Sequence, residues 1–179
     1  NLSIDTKISE QEFDKDNEKD LAQKLYDEAM QNYQRKKGEI ARQALPVFSN
    51  IRQQQGAHIM NVIVPFTDGR KGMQVLANLD KTLQTQGAEL ANAMERSVAL
   101  GLIDDSWKEH LRAMDDLKQS VQTASYEQKD PLVIYKIEAF NLFSRMESEL
   151  NKELVQFLCH AGIPLEQQQD IREGREEKT

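Results

Sequence analysis

The sequence predicts a mainly α fold: an elongated helical domain built on a long antiparallel two-helix hairpin, with a small β-hairpin inserted before it. Three observations predict this. Apolar residues recur at spacings of mostly three or four from Met94 to Val121 and again from Tyr135 to Phe157, the period of an amphipathic helix. Eight Gly and four Pro in 179 residues are too few for an all-β sandwich with a turn every ~8–12 residues. The chain is 39% apolar and 30% charged, against ~45–50% and about 25% in average globular domains, a balance that suits long helices around a thin core.

Taken in order, residues 1–19 are polar, with scattered Leu2, Ile4, Ile8 and Phe13, and read as an arm or irregular lead-in. A helix starts near Asp16 to Asp20, where acids suit the positive end of the helix dipole. Leu21, Leu25, Ala29 and Tyr33 form its stripe, and Ile40, Ala44 and Leu45 continue it past Gly38. Pro46 is expected to break or kink it. The β-branched run "HIMNVIVPF", the turn "TDGRKG" and then "MQVL" predict a β-hairpin over 59–77, with strands at roughly 59–66 and 72–77. Pro65 belongs at an edge or strand end. A lone hairpin is marginal in water, so this one must lean on helices or a partner.

Helix returns from about Glu89 to Gln119, with Met94, Val98, Ile103, Trp107, Leu111, Met114, Leu117 and Val121 as its apolar stripe. The polar stretch "SYEQKDP" follows. Pro131 sits where a helix's first residue would, and Asp130 precedes it as an N-cap. The second long helix carries Tyr135, Ala139, Leu142, Met146, Leu150, Leu154 and Phe157 and runs to about Cys159, with Gly162 and Pro164 ending it. The tail after residue 160 is polar and reads as mobile. The two apolar stripes must face each other or a third element.

Composition also bounds function. A net charge of -7 argues against general nucleic-acid binding, which needs a basic face to displace phosphate counterions. The single cysteine, Cys159, permits no intrachain disulfide and points to a reducing compartment. No run approaches the ~18 apolar residues of a membrane span. The chain begins at Asn1 rather than Met and reads as a fragment of something longer.

Catalytic and metal chemistry finds little support. His58, His110 and His160 are far apart in sequence, and adjacent Cys159 and His160 point about 100° apart on a helix. A thiol beside a surface imidazole outweighs a metal site there. No Ser or Cys stands in a nucleophile elbow. The acid pairs Asp104-Asp105 and Asp115-Asp116 read as solvated helix charges. "QRKKG" at 34–38 could reach an anionic membrane surface or an acidic partner, weighed against an ordinary solvated face, which only three basic residues favour. Trp107 lies on the apolar stripe, so packing is its default role.

Longer words go further. "DDSWKEHLRAMDDLKQSV" followed by "YEQKDPLVIYKIEAFNLFSRMESEL" closely resembles the C-terminal region of the SecA family, the motors of bacterial preprotein export. That family carries a D-x-x-W-x-x-H-L-x-A-M-D-x-L pattern, matched here by Asp104, Trp107, His110, Leu111, Ala113, Met114, Asp115 and Leu117. Its following loop is a Tyr, a polar spacer and Asp-Pro, matched by Tyr126, Asp130 and Pro131. Its second helix opens on Tyr-Lys and continues to a Phe, matched by Tyr135, Lys136 and Phe143. "YQRKK" at 33–37 resembles the end of the family's helical wing.

The resemblance implies an organisation. Residues 1–45 are wing-like, 46–92 an insertion holding the β-hairpin, 93–160 the two-helix finger of the helical scaffold with its tip at about 122–131, and 161–179 a flexible tail. It further implies that the tip residues Tyr126, Glu127, Gln128 and Lys129 contact the SecY channel (SecYEG) and the unfolded preprotein. Trp107, His110, Leu111, Met114, Asp130, Pro131 and Tyr135 shape the finger. ATP and Mg would serve the full-length protein, with no cofactor in this segment, which lacks nucleotide-binding motifs. The remaining SecA domains would be partners, and the location cytoplasmic, at the inner membrane. The sequence departs from the family in "TAS" before Tyr126, where a basic-Gly or basic-Ala step is usual. The family's zinc-binding cysteine cluster near the extreme C-terminus is also missing, the chain ending before it could occur. On the residues alone a free-standing, coiled-coil-like adaptor dimerising through the 103–121 and 135–157 stripes stays open.

Overall fold

A computed structural model describes residues 8–9, 13, 17–123, 130–164 and 172–173. The chain forms two compact units, one of Asn1–Ser97 with Gln156–Thr179, the other of Val98–Val155. Among the described residues it is mainly helical, with one small sheet.

Helix α1 spans Glu18–Gln55. Asn17 caps it by accepting from the Asp20 N–H at 3.0 Å, and Glu18 and Asp20 in its first turn complement the dipole. The helix does not break at Pro46; it continues to Gln55. Proline removes one helical N–H and frees the carbonyl four residues earlier. Here both Pro46 and Arg42 are exposed, so water can satisfy that carbonyl, while fully buried Phe48 on the opposite side holds the helix to the core. Gly56 ends α1 with a positive φ of 70°, its N–H donating to the Arg52 carbonyl.

Strands β1 (Asn61–Thr67) and β2 (Gly72–Asn78) pair antiparallel, within a residue or two of the bounds expected. Register places Val62 opposite Ala77 and Val64 opposite Val75, and all four are buried together with Phe66 on one face. In the connecting loop Asp68 Oδ1 accepts from the Arg70 and Lys71 N–H groups at 2.8 and 2.7 Å. Partial burial pushes the Asp68 carboxyl up, but the N–H groups of Lys71 and Arg70 outweigh it and hold it below the usual carboxylate range.

The tail expected to be mobile contributes a strand and a bridge to the sheet. Arg172–Glu173 form β3, paired with Ile63 and Val62, so β1 is central in the order β2-β1-β3. Gly162 bridges Thr67, each N–H donating to the other's carbonyl at 3.0 and 2.9 Å. These bonds fix which backbone groups face which way. The N–H and C=O of Thr67 turn away from β2, so by alternation those of Ile63 and Pro65 do too. Pro65 therefore sits in mid-strand rather than at an end. Its missing N–H falls on the side where, among the described residues, no strand lies opposite it, and the ladder to β2 loses nothing.

A short helix that the sequence reading lacked, α2 (Leu79–Gln84), follows at once. Asn78 caps it through the Lys81 N–H at 2.9 Å, and buried Thr82 donates to the Asn78 carbonyl at 2.7 Å. Gln86 and Gly87, with φ of 51° and 91°, reverse the chain. Thr85 Oγ1 accepts from the Glu89 N–H at 3.0 Å as α3 (Ala88–Thr123) begins. Helix α4 spans Pro131–His160.

Gly87 faces α1 so closely that a Cβ there would stand 2.4 Å from Ala41 Cβ and 2.9 Å from Ala41 Cα. Gly87→Ala should therefore strain φ and overpack the α1 contact together, lowering stability by at least about 2 kcal/mol in urea unfolding. Gly69→Ala has a positive φ of 88° but open space around it and should cost less.

Candidate functional site

The unit Val98–Val155 holds most of the residues singled out by the sequence. Its α3 and α4 segments share a groove lined by Ser106, Glu109 and Ala113 of α3 and by Leu142, Met146 and Leu150 of α4. Within α3 only Val98, Leu102, His110 and Val121 of this unit are buried among the described residues. The expected inward stripe is thus displaced. Ile103, Trp107 and Leu111, 48%, 46% and 49% exposed, fall on an open flank, and Leu102 and His110 take the inner positions.

His110 is held between two rings. Trp107 lies 5.4 Å away, tilted by 39°, and Phe143 of α4 lies 5.9 Å away, edge-on at 73°. Both separations fall in the favourable range for aromatic pairs, so Trp107 packs against His110 while remaining partly exposed. Met114 and Tyr135 are half-buried. Lys108 pairs with Asp104 along the exposed face, a contact that raises the lysine's pKa.

At the start of α4, Asp130 Oδ1 accepts from the Leu132 N–H at 2.9 Å, the N2 donor that an N-cap serves, and Pro131 is the first helical residue. Tyr126, Glu127, Gln128 and Lys129 lie outside the described residues. The open flank of α4 is large: Leu132, Val133, Ile137, Phe140 and Phe143 are all exposed, Phe140 to 70%.

The other unit contains a site that local patterns do not reveal. The basic run of α1 turns inward. Lys37 Nζ meets Glu95 Oε1 of α3 at 2.9 Å, and the Tyr33 hydroxyl donates to the same oxygen at 2.8 Å. Lys37 Nζ also lies 5.7 Å from the Tyr33 ring centroid. Lys36 Nζ donates to the Cys159 carbonyl at the end of α4, at 2.7 Å, where helix carbonyls lack intrahelical partners. Two of the run's cations are therefore engaged inside the protein rather than offered to a lipid surface. The signal in sequence was weak: Tyr33, Lys37, Ile40 and Ala44 share a stripe, but the partners of Tyr33, Lys36 and Lys37 lie 62, 123 and 58 residues away.

Chemically this cluster is a clamp. Burial pushes the Tyr33 hydroxyl well above the ordinary tyrosine pKa, reinforced by Glu95. Burial also raises the Cys159 thiol, against the opposing effect of Lys36, so the nucleophilic thiolate is disfavoured. Burial lowers the Lys36 pKa. His160 Nδ1 donates to the Gln156 carbonyl at 2.8 Å. No group of three or more His, Cys, Asp or Glu among the described residues is placed to hold a metal ion, and no helix there is long and apolar enough to cross a membrane.

Tyr33 yields a direct prediction. Its folded pKa is raised, so the protonated hydroxyl's contribution is complete below the unfolded tyrosine value and is lost as pH rises through the folded one. An alkaline titration followed by tyrosinate absorbance should show one of the four tyrosines ionising late, with structural loss. Tyr33→Phe should abolish that late phase and leave the others in place.

Comparison with known proteins places the whole chain. The family model of the SecA Wing and Scaffold domain matches residues 2–162. The Protein translocase subunit SecA of Christiangramia forsetii is 42% identical over 179 residues, covering 100% of this chain and 16% of the relative. Those of Phocaeicola vulgatus and Flavobacterium psychrophilum are 39% and 42% identical over 98% and 97% of the chain, again 16% of each relative. The chain thus spans about a sixth of these relatives' length, and residues 46–92 lie inside the matched span. No solved structure matches.

Proposed function

Because the chain belongs to the SecA family, we propose that it is the interaction and force-transmitting module of an ATP-driven bacterial protein translocase. In this reading residues 1–45 act as the wing and 93–160 as a two-helix finger. Tyr126, Glu127, Gln128 and Lys129 at the finger's tip meet the SecYEG channel and the passing preprotein. A tyrosine suits that contact because its ring packs on varied side chains while its hydroxyl tolerates water. ATP and Mg are handled by the remainder of the full-length protein and not by this segment. The protein works in the cytoplasm at the inner membrane, with no role in nucleic-acid binding.

One observation supports the reading beyond family membership: the open apolar flank of unit Val98–Val155. Leu100, Ile103, Trp107 and Leu111 on α3, and Val133, Ile137, Phe140 and Phe143 on α4, stay exposed. Burying each such side chain is worth roughly 1.5–3 kcal/mol, and contiguous apolar surface of this kind marks an interaction site. The rest of a full-length SecA protein is the natural cover, since the matched region is 16% of each relative.

The same flank also suits the second reading, a free-standing adaptor that dimerises through it. The two diverge in the full-length protein. There Phe140→Glu should lower thermal stability by clearly more than the ±0.5 kcal/mol typical of a surface change, whereas a free-standing adaptor predicts that this chain alone sediments as a stable dimer that Phe140→Glu dissociates. Tyr126→Ala in the full-length protein should reduce preprotein translocation into SecYEG vesicles while leaving the fold unchanged by circular dichroism. Unaltered export rates would remove the tip contact from the proposal.

A further inference from the structure

The two edges of the small sheet are finished differently. On the β1 side, Gly162 and Arg172–Glu173 cover both ends and Pro65 occupies the interval. Proline and a covering segment are standard protections of an exposed edge. The β2 side has neither. The strand Gly72–Asn78 reads GMQVLAN, with no proline and no charge, and Gly72, Gln74 and Leu76 are all exposed.

Backbone directions follow from the bonds already described. Asp68 N–H donates to the Lys71 carbonyl and Leu79 N–H to the Met60 carbonyl, so Met73, Val75 and Ala77 turn their polar groups to β1. Gly72, Gln74 and Leu76 turn theirs outward. Among the described residues nothing meets them there: β2 pairs with β1 alone. The open row ends at Asn78, whose carbonyl is taken by Thr82.

We propose that this outer edge of β2 is a docking edge for an extended, unfolded polypeptide, added as a further strand. The row offers three N–H donors and three carbonyl acceptors at strand spacing, which only an extended backbone satisfies together. Main-chain pairing supplies affinity with little demand on sequence, and an uncharged strand imposes no charge preference. A second copy of this chain is the poorer fit. Pairing over three outward residues buries far less than the ~1,000 Å² expected of a stable interface, whereas a short weak contact suits a chain that must be released. The inference rests on the translocase reading, since it takes unfolded polypeptide as the cargo, but it assigns a contact outside the finger.

The test uses the full-length protein and a soluble synthetic peptide alternating threonine and valine between terminal lysines. Amide hydrogen exchange is followed with and without the peptide. The amides of Gly72, Gln74 and Leu76 should exchange fast alone and about tenfold more slowly with peptide, while that of Val75, already in the β1 ladder, stays unchanged. A peptide N-methylated at alternate residues should give no protection. Gln74→Pro, which removes only an outward N–H, should weaken peptide binding about tenfold, and Gln74→Ala should not. If the proline variant misfolds, the wild-type exchange data decide. Peptide binding and export without protection of these amides would overturn the edge and leave the translocase reading standing. Protection that rises with protein concentration in the absence of peptide would make a second copy the occupant and overturn the proposal. A full-length protein that neither binds unfolded polypeptide nor supports export would overturn both readings together.

Discussion

The close approach of Gly87 to Ala41 sets the geometry on which the larger unit depends. Only a residue without a Cβ lets the turn before α3 lie so near α1, and its positive φ serves the same position. With that spacing fixed, one stripe of α1 can do several things at once. Ile40, Ala44 and Phe48 are buried in the core, and a turn or two earlier Tyr33, Lys36 and Lys37 reach Glu95 and the Cys159 carbonyl at the end of α4. The start of α3 and the end of α4, distant in sequence, are thereby seated on the same helix.

The polar clamp and the apolar core contribute in different ways. Phe48, Phe66, Leu79, Leu90, Met94 and Phe157 are essentially inaccessible, and their burial supplies the bulk of the driving force. The Lys37–Glu95 pair is partly exposed, so its direct Coulomb gain is modest. Its value is specificity, since a lysine and a tyrosine sharing one carboxylate oxygen fix the rotation of α1. Unit Val98–Val155 is built on another plan, with few buried side chains and a wide apolar flank. That contrast suits one part that is self-sufficient and another that is completed by its surroundings.

What could be read from sequence was what is local. The 3.6-residue period located the three long helices, and alternating β-branched residues around Asp68-Gly69 located the hairpin. Asp130-Pro131 marked the start of α4. The helix does not break at Pro46, because a proline on the water-facing side leaves its freed carbonyl to solvent. Helix α2 escaped notice because six residues are too few to show a period, although Asn78 and Asp80 carried the start signal. The α3 stripe was ambiguous because α3 is apolar over a wide arc, and spacing alone cannot say whether Leu102 or Ile103 points inward. The Tyr33–Lys37–Glu95 cluster was out of reach, since no pattern of spacing within α1 names a partner 58 or 62 residues on. The family resemblance survived these errors because it rested on particular residues and not on which face they occupy.

The larger unit is assembled from both ends of the chain, Asn1–Ser97 and Gln156–Thr179, around a continuous stretch, Val98–Val155. This ordering matters as the protein emerges from the ribosome. At the usual ~5–20 residues per second, the 58 residues of that stretch (155 − 98 + 1) take about 3–12 s to make. During that interval the hairpin has its β2 pairing but lacks Phe157, Ala161, Ile163 and the bridging Gly162, all of which the finished unit uses. The nascent β1 edge is then open along its length, and Pro65, which interrupts its row of donors, guards it during synthesis, before the C-terminal residues arrive to cover the ends.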